Sequence, residues 1–274
     1  MDVVALARRF APPAAIVVCW LWESLAPARL PKASRTRQNA LHIVIGLSNA
    51  LLVALSLGTL MTAIGAWTAA NSWGLLNQCS LPLYIRWPLV LLLLDGCTYL
   101  WHFANHRSAW LWRFHRAHHT DQHLSATTAV RFHAGEIALS AAAKTALVPL
   151  LGLRLEELAI YETLLAASTA FHHANISIGR WDPLLRLAIV TPAMHKLHHS
   201  VDPRETHSNF SSILSLWDRF GGTFLRPECL DRLDRLEFGV KELAGPDAQT
   251  FVGIWSTPVR RSIKLPNETC DERS

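Results

Sequence analysis

Charge is scarce in this chain. Only 17% of its 274 residues are Asp, Glu, Lys or Arg, where a soluble domain usually has about a quarter. Cysteine is as uninformative: Cys19, Cys79, Cys97, Cys229 and Cys270 are scattered, odd in number and form no C-x-x-C. That excludes a disulfide framework and a thiolate metal site. G-x-G-x-x-G, C-x-x-C-H and iron–sulfur cysteine runs are all missing, so no dinucleotide, haem or cluster motif is present. H-E-x-x-H is missing too, and there is no internal repeat or low-complexity segment. Lys plus Arg number 26 against 21 Asp plus Glu. No basic stripe interleaved with aromatics accompanies that small excess, which excludes nucleic acid as a partner and reads as loop charge beside a membrane.

Apolar residues, by contrast, make up half the chain, with eleven tryptophans and several long apolar runs. A disordered or fibrous protein is excluded, and the composition points to a membrane. The first run, about Val3 to Leu25, is interrupted by Arg8, Arg9 and Pro12-Pro13. It has the look of a signal peptide, with Ala26-Pro27-Ala28 mimicking a cleavage site, but further spans follow it, which favours an uncleaved helix. The second run, Ala40 to about Trp67, is long enough to cross a hydrocarbon core of roughly 30 Å. A third runs from about Leu83 to Phe103. The fourth and fifth, Ile137–Leu151 and Leu155–Phe171, are short and joined by Gly152-Leu153-Arg154, as in a helical hairpin. Arg29, Lys32, Arg35 and Arg37 lie between the first two spans with no acidic residue after Glu23. The positive-inside rule makes that loop cytoplasmic, and two further crossings return the end of the third span to the same side. The expected fold is therefore all-α: a polytopic membrane protein with four or five transmembrane or membrane-embedded helices and a cytoplasmic histidine-rich cap. Residues 1–84 form N-terminal membrane helices, 85–225 the histidine-bearing domain, and 226–274 a polar tail.

Histidine is the anomaly, with fourteen copies, most of them in tight groups. Asp95, Tyr99, His102 and His106 are spaced 4, 3 and 4 and share one helix face. An aspartate within LLLLDGCTYLW is expensive in hydrocarbon and needs an interior partner. LWRFHRAHHTD carries His115, His118 and His119, and TPAMHKLHHS repeats H-x-x-H-H with His195, His198 and His199. Between them stand His133 in RFHAGE and the His172-His173 pair in FHHANIS. His42, His123 and His207 fall outside these spacings and read as ordinary surface or satisfied core residues. So many imidazoles at close range repel when protonated and lack partners when neutral. Metal ions resolve both problems. Imidazole suits zinc, iron, copper and nickel, and eight to ten histidines exceed one centre but suit two metals with four or five ligands each.

The set H-x-x-x-H at 102–106, H-x-x-H-H at 115–119 and H-x-x-H-H at 195–199 resembles the sterol desaturase and fatty acid hydroxylase superfamily. LWRFHRAHH, TTAVRFHAGE, FHHANI, TPAMHKLHHS and LWDRFGGT strengthen the resemblance, which covers about residues 85–225. It implies a membrane-embedded, oxygen-dependent enzyme with two iron ions that hydroxylates or desaturates a C–H bond of a lipid or sterol at the cytoplasmic face. Carried over residue by residue, the ligands are His102, His106, His115, His118, His119, His195, His198 and His199, joined by His133 and His173. The pattern departs from the family at Ala134, where relatives often have proline, and at His207, where an acidic residue is expected; either His172 or His173 fits the ligand position. Metal-bound imidazole donates its other N–H to a carboxylate or carbonyl. Asp95 and Glu136 are the leading candidates for such a role beside the reaction, with Asp121, Glu205 and Asp218 behind them.

Since the chain has no redox motif of its own, the electrons for such a reaction come from a separate donor: a ferredoxin, cytochrome or reductase. Two other classes fit parts of the pattern. A zinc-dependent membrane hydrolase would use a metal-bound water of lowered pKa, but ten imidazoles leave few open positions. A histidine-rich metal carrier would string its ligands along a path between spans, whereas these cluster at one end.

Overall fold

The computed structural model describes residues 3–30, 35–227 and 235–260. Lys32, Cys229 and Cys270 lie outside the described residues. The secondary structure is helical, with two isolated bridges (Ile189 with Leu214, Ser200 with Phe238) and no strand among the described residues. The principal helices are α1 (Val3–Leu25), α2 (Thr36–Val53), α3 (Thr59–Ala70), α4 (Leu83–Arg107), α5 (Ala109–His119), α6 (Ala134–Leu151) and α7 (Leu155–His173). Shorter helices follow: α8 (Asp182–Leu185), α9 (Pro192–His198), α10 (Pro203–Thr206), α11 (Leu216–Phe220) and α12 (Phe251–Trp255).

Three helical stretches among the described residues are long and apolar enough to cross a membrane: Thr36–Asn77, Leu83–Arg107 and Ala134–Leu151. α1 contributes a shorter apolar stretch, Phe10–Leu25. α7 opens with Glu156 and Glu157 and carries Glu162 in its interior, which sets it apart from the three. α2 passes into α3 through a π-helical turn, Ala54–Gly58, so one helix continues from Thr36 to Ala70. At ~1.5 Å per residue it is roughly 50 Å long, more than the ~30 Å of bilayer hydrocarbon. Its first turns explain the excess. His42 and Asn49 are buried, and Asn49 Nδ2 donates to the Phe132 carbonyl (2.8 Å), so this end belongs to the cap. Farther along, Leu51, Leu55 and Leu60 face outward, as lipid-facing side chains do.

The bundle's apolar core lies between α4, α6 and α7, with Val90, Leu94, Val148, Leu158 and Tyr161 at its centre. At the end far from the histidines, Arg86 ties the elements together. Its guanidinium donates to both oxygens of Glu157 (2.5 and 3.1 Å) and to the carbonyls of Leu76 and Gly152 (3.1 and 2.8 Å). α6 ends there on Gly152 with φ +75°, a left-handed stop that favours glycine, packed directly on Gly74.

The basic loop after α1 reaches the cap. Arg29 donates to the Leu236 carbonyl (2.8 Å) and Arg35 to that of Leu124 (3.5 Å). This loop and the histidine boxes therefore share one side of the bundle. The segment read from sequence as a polar tail is, over residues 235–260, packed onto the second box. Arg116 donates to the Thr257 carbonyl (2.5 Å), Arg131 to Gln249 Oε1 (3.0 Å), and Ile254 is buried with Ile45 and Ala117.

Candidate metal centre

Four helices bring the imidazoles together. α4 ends on His102 and His106. Ser108 caps α5, accepting from the Leu111 N–H (3.4 Å), and turns the chain so that His115, His118 and His119 face back. Thr191 and Pro192 start α9, which presents His195 and His198 with His199 at its C-cap. α7 ends on His173. Two groups result: His102, His106, His115, His119 and His198 in one; His118, His173, His195 and His199 in the other. Within each, the candidate ligand nitrogens lie no more than 4.8 Å apart. All nine are buried except the half-buried His102.

Hydrogen bonding sets the tautomers. Nδ1 meets a carbonyl in His102 (Phe210, 2.8 Å), His198 (Ser208, 2.7 Å), His118 (Arg131, 3.2 Å) and His173 (Thr169, 2.7 Å). In His115 it meets Glu136 Oε1 at 2.7 Å. These oxygens only accept, so each Nδ1 carries the proton and each Nε2 a lone pair. Yet Nε2 of His118 faces Nε2 of His173 at 3.0 Å; His195 and His199 continue the series at 2.9 and 3.1 Å. The lone pairs of His118 and His173, aimed at one another, repel unless a cation stands between them, and the Nδ1 atoms of His195 and His199 are buried without a protein partner. In the other group, Nε2 of His102, His115 and His198 and both nitrogens of His106 are buried without a protein partner. The donor set fits two metal ions. Burial first, and mutual repulsion second, push His118, His119, His195, His198 and His199 well below the ordinary histidine value. Burial brings His173 down to about 4. All are neutral at pH 7, the form that binds metal.

A carboxylate and a turn hold these rings. Glu136 accepts from His115 and from Asn105 Nδ2 (3.1 Å), and its other oxygen is buried without a partner. Asp218 accepts from the Phe210 and Ser211 N–H groups (2.7 and 3.0 Å), fixing the turn whose carbonyls orient His102 and His198. Asn209 at its apex takes φ +53°, a conformation asparagine tolerates. Asp95 does not reach the imidazoles. Its Oδ2 accepts from the Leu214 N–H (3.0 Å) and Trp217 Nε1 (2.9 Å), anchoring the segment beyond that turn. Asp121 serves Thr128 (2.5 Å) and lies 3.8 Å from His42 rather than at a box histidine; Glu205 is buried in α10.

His133 stands outside both groups. Its Nδ1 caps α6 by accepting from the Gly135 N–H (2.8 Å), and its Nε2 meets the Trp255 carbonyl (3.1 Å). With both nitrogens engaged, it serves as a helix cap. His173 joins a group, whereas His172 beside it lines the adjoining cavity, 4.0 Å between ring centroids from His195. His42 is a satisfied core residue between Thr127 and Arg131, 3.0 Å from each. His207 packs 5.4 Å from His106, centroid to centroid. Asn105 and the two turn carbonyls escaped sequence reading; for Asn105 the signal was a polar residue directly before a box histidine in HFANH.

A cavity of about 570 Å³ opens beside the histidines. It runs between α4, α6 and α7 on a mostly apolar lining that includes Leu94, Phe132, Ile137, Leu158 and Leu165.

The family model described as fatty acid hydroxylase matches residues 87–223, half of the chain. The ornithine lipid hydroxylase OlsE of Rhizobium tropici is 30% identical over 182 residues, covering 64% of this chain and 53% of its own length. The alkylglycerol monooxygenase of Danio rerio is 29% identical over 170 residues, covering 62% of this chain and 35% of its own. The chain thus spans about half the length of the first relative and about a third of the second. No solved structure matches it significantly.

Proposed function

The chain belongs to the fatty acid hydroxylase family, and from that premise we propose that it is a membrane-bound, oxygen-dependent lipid hydroxylase working with two iron ions. The observation that carries this reading is the division of nine imidazoles, eight of them buried, into groups of five and four with their candidate ligand nitrogens converging. Iron in these groups supplies the dioxygen chemistry needed to break an unactivated C–H bond.

The residues do the rest. Glu136 and the carbonyls of Phe210, Ser208, Arg131 and Thr169 keep the Nδ1 protons in place, so that each Nε2 stays available. The apolar cavity holds the substrate chain beside the ligands and keeps water away from it. Hydroxylation is favoured over desaturation because the relatives are named hydroxylase and monooxygenase. Electrons come from a separate ferredoxin, cytochrome or reductase, since the chain carries no redox motif.

Iron analysis of the purified protein should give two per chain, and under labelled dioxygen the label should appear in the product hydroxyl. Label arriving from water, with full turnover in the absence of oxygen and one bound zinc, would instead favour a hydrolase.

A further inference from the structure

Among the described residues, histidines apart, two ion pairs link helices of the bundle, and they differ in kind. Arg86–Glu157 is sealed, with side chains 4% and 0% exposed, and is surrounded by carbonyls. Lys144 of α6 and Glu162 of α7 meet at 2.7 Å with side chains 25% and 40% exposed. Among the described residues neither has a second hydrogen bond or ion pair. A buried staple explains the first pair but not the second.

Position supplies the explanation. Glu136 is committed to His115; among the described residues, the other charged side chains lining the large cavity, histidines apart, are Lys144 and Glu162. They also line a second cavity of about 400 Å³, between α6 and the α2–α3 helix, and so stand where the two meet. Lys144 lies eight residues beyond Glu136 on α6, about 12 Å along the axis, and Glu162 seven residues before Thr169 on α7, about 10 Å. The stretch between is lined by Ile137, Leu158 and Leu165. Charges on an apolar helix are costly and need a function, and as packing an apolar pair would serve at least as well.

We propose that Lys144 and Glu162 form a headgroup site for a zwitterionic lipid, one whose head carries a free carboxylate and a free ammonium. Lys144 takes the carboxylate and Glu162 the ammonium. One ion pair is exchanged for two, while the chain extends along the apolar stretch toward the histidines. A purely anionic head would satisfy Lys144 but face Glu162; a cationic head does the reverse; a neutral hydroxyl leaves the pair closed. The inference rests on the cavity being the substrate site of the proposed hydroxylase.

The test is equilibrium binding to the full chain in detergent, followed by tryptophan fluorescence, with four probes of equal chain length: N-palmitoyl-lysine, palmitate, hexadecylamine and hexadecanol. Wild-type protein should bind N-palmitoyl-lysine about tenfold or more tighter than the other three, as expected for added charge-assisted contacts. Lys144→Gln and Glu162→Gln should each abolish that preference and leave hexadecanol binding unchanged. Equal affinities in the wild type, or a preference surviving both substitutions, overturns the proposal. Should either variant fail to fold, the swapped pair Lys144→Glu/Glu162→Lys takes its place: a retained preference supports the site, and its loss with hexadecanol binding intact overturns it. Binding needs no iron, so a protein that selects N-palmitoyl-lysine yet holds no iron would sink the hydroxylase reading alone.

Discussion

His115 shows how much a single proton position carries. Its Nε2 faces the first group only because Glu136 holds the proton on Nδ1. Glu136→Ala should therefore lower metal affinity or turnover about 10–100-fold, the usual cost of losing such a partner, as read by iron titration. His133→Ala should keep both metals, because that ring caps α6 instead; its cost is the cap, about 1 kcal/mol of stability, seen as a lower melting temperature at unchanged iron content. The contrast marks where residue-level reading of the sequence ended. Spacing alone put His102 with His106 on one helix face, and His115 with His118 and His119 on neighbouring ridges. It gave no means of telling that His115 and His119 serve one group while His118 serves the other, nor that both nitrogens of His133 are taken. Asp95 was legible as a buried carboxylate in need of a partner, but that partner, the Leu214–Trp217 segment, lies over a hundred residues away. pH bears on the same residues. Burial holds His173 near 4, and burial with the nearby Arg107 charge does the same for His207. The unfolded chain takes up protons on these rings below about 6.5, and the fold does not until about 4. Stability of the metal-free protein should then fall as pH drops through that window, by up to about 1.4 kcal/mol per pH unit for each such imidazole. A melting temperature that stays flat across it would contradict the buried neutral state.

Among the elements, the α6–α7 hairpin depends on Arg86. Replacing Glu157 with Ala leaves a buried guanidinium without its carboxylate, and should cost about 3–5 kcal/mol; Lys144→Met with Glu162→Leu, at the open pair, should cost far less. Thermal melts of the two proteins in the same detergent make the comparison. The span α4 was legible as an apolar run of sufficient length, whereas the run in α6 read as short because the helix begins three residues earlier, at Ala134. The start of α2 was not legible, because its cap-facing residues, His42 and Asn49, interrupt no pattern and have partners some eighty residues away. The packing of residues 235–260 was likewise hidden: short helical turns carry no period, and their contacts are largely through backbone carbonyls.

For the molecule as a whole, the contacts of Arg29 and Arg35 put the basic loop and the metal groups on one side, with the turn around residues 71–82 at the other end of α3. We expect the histidine side to be cytoplasmic, on the strength of that basic loop. The exposed Cys79 is a built-in reporter of the far side. In a chain whose other cysteines are serine, an impermeant thiol reagent should label Cys79 in intact cells. Moved to Leu30 or Arg204, the cysteine should react only after the membrane is opened, and the reverse pattern would invert the topology.

Ligand order along the chain also constrains when the protein can be finished. Both groups draw on α5 and on α9, with alternate residues of each helix going to alternate groups. At the moment the ribosome has passed α5, the nascent chain offers His102, His106, His115 and His119 but lacks His198, and the second group has one ligand of four. The first group is complete only with residue 198 and the second only with residue 199, so both wait for α9. On the proposed reading, loading of both iron sites waits for α9, and chains stalled before residue 195 should emerge from pull-downs without the full iron complement even when they are inserted correctly.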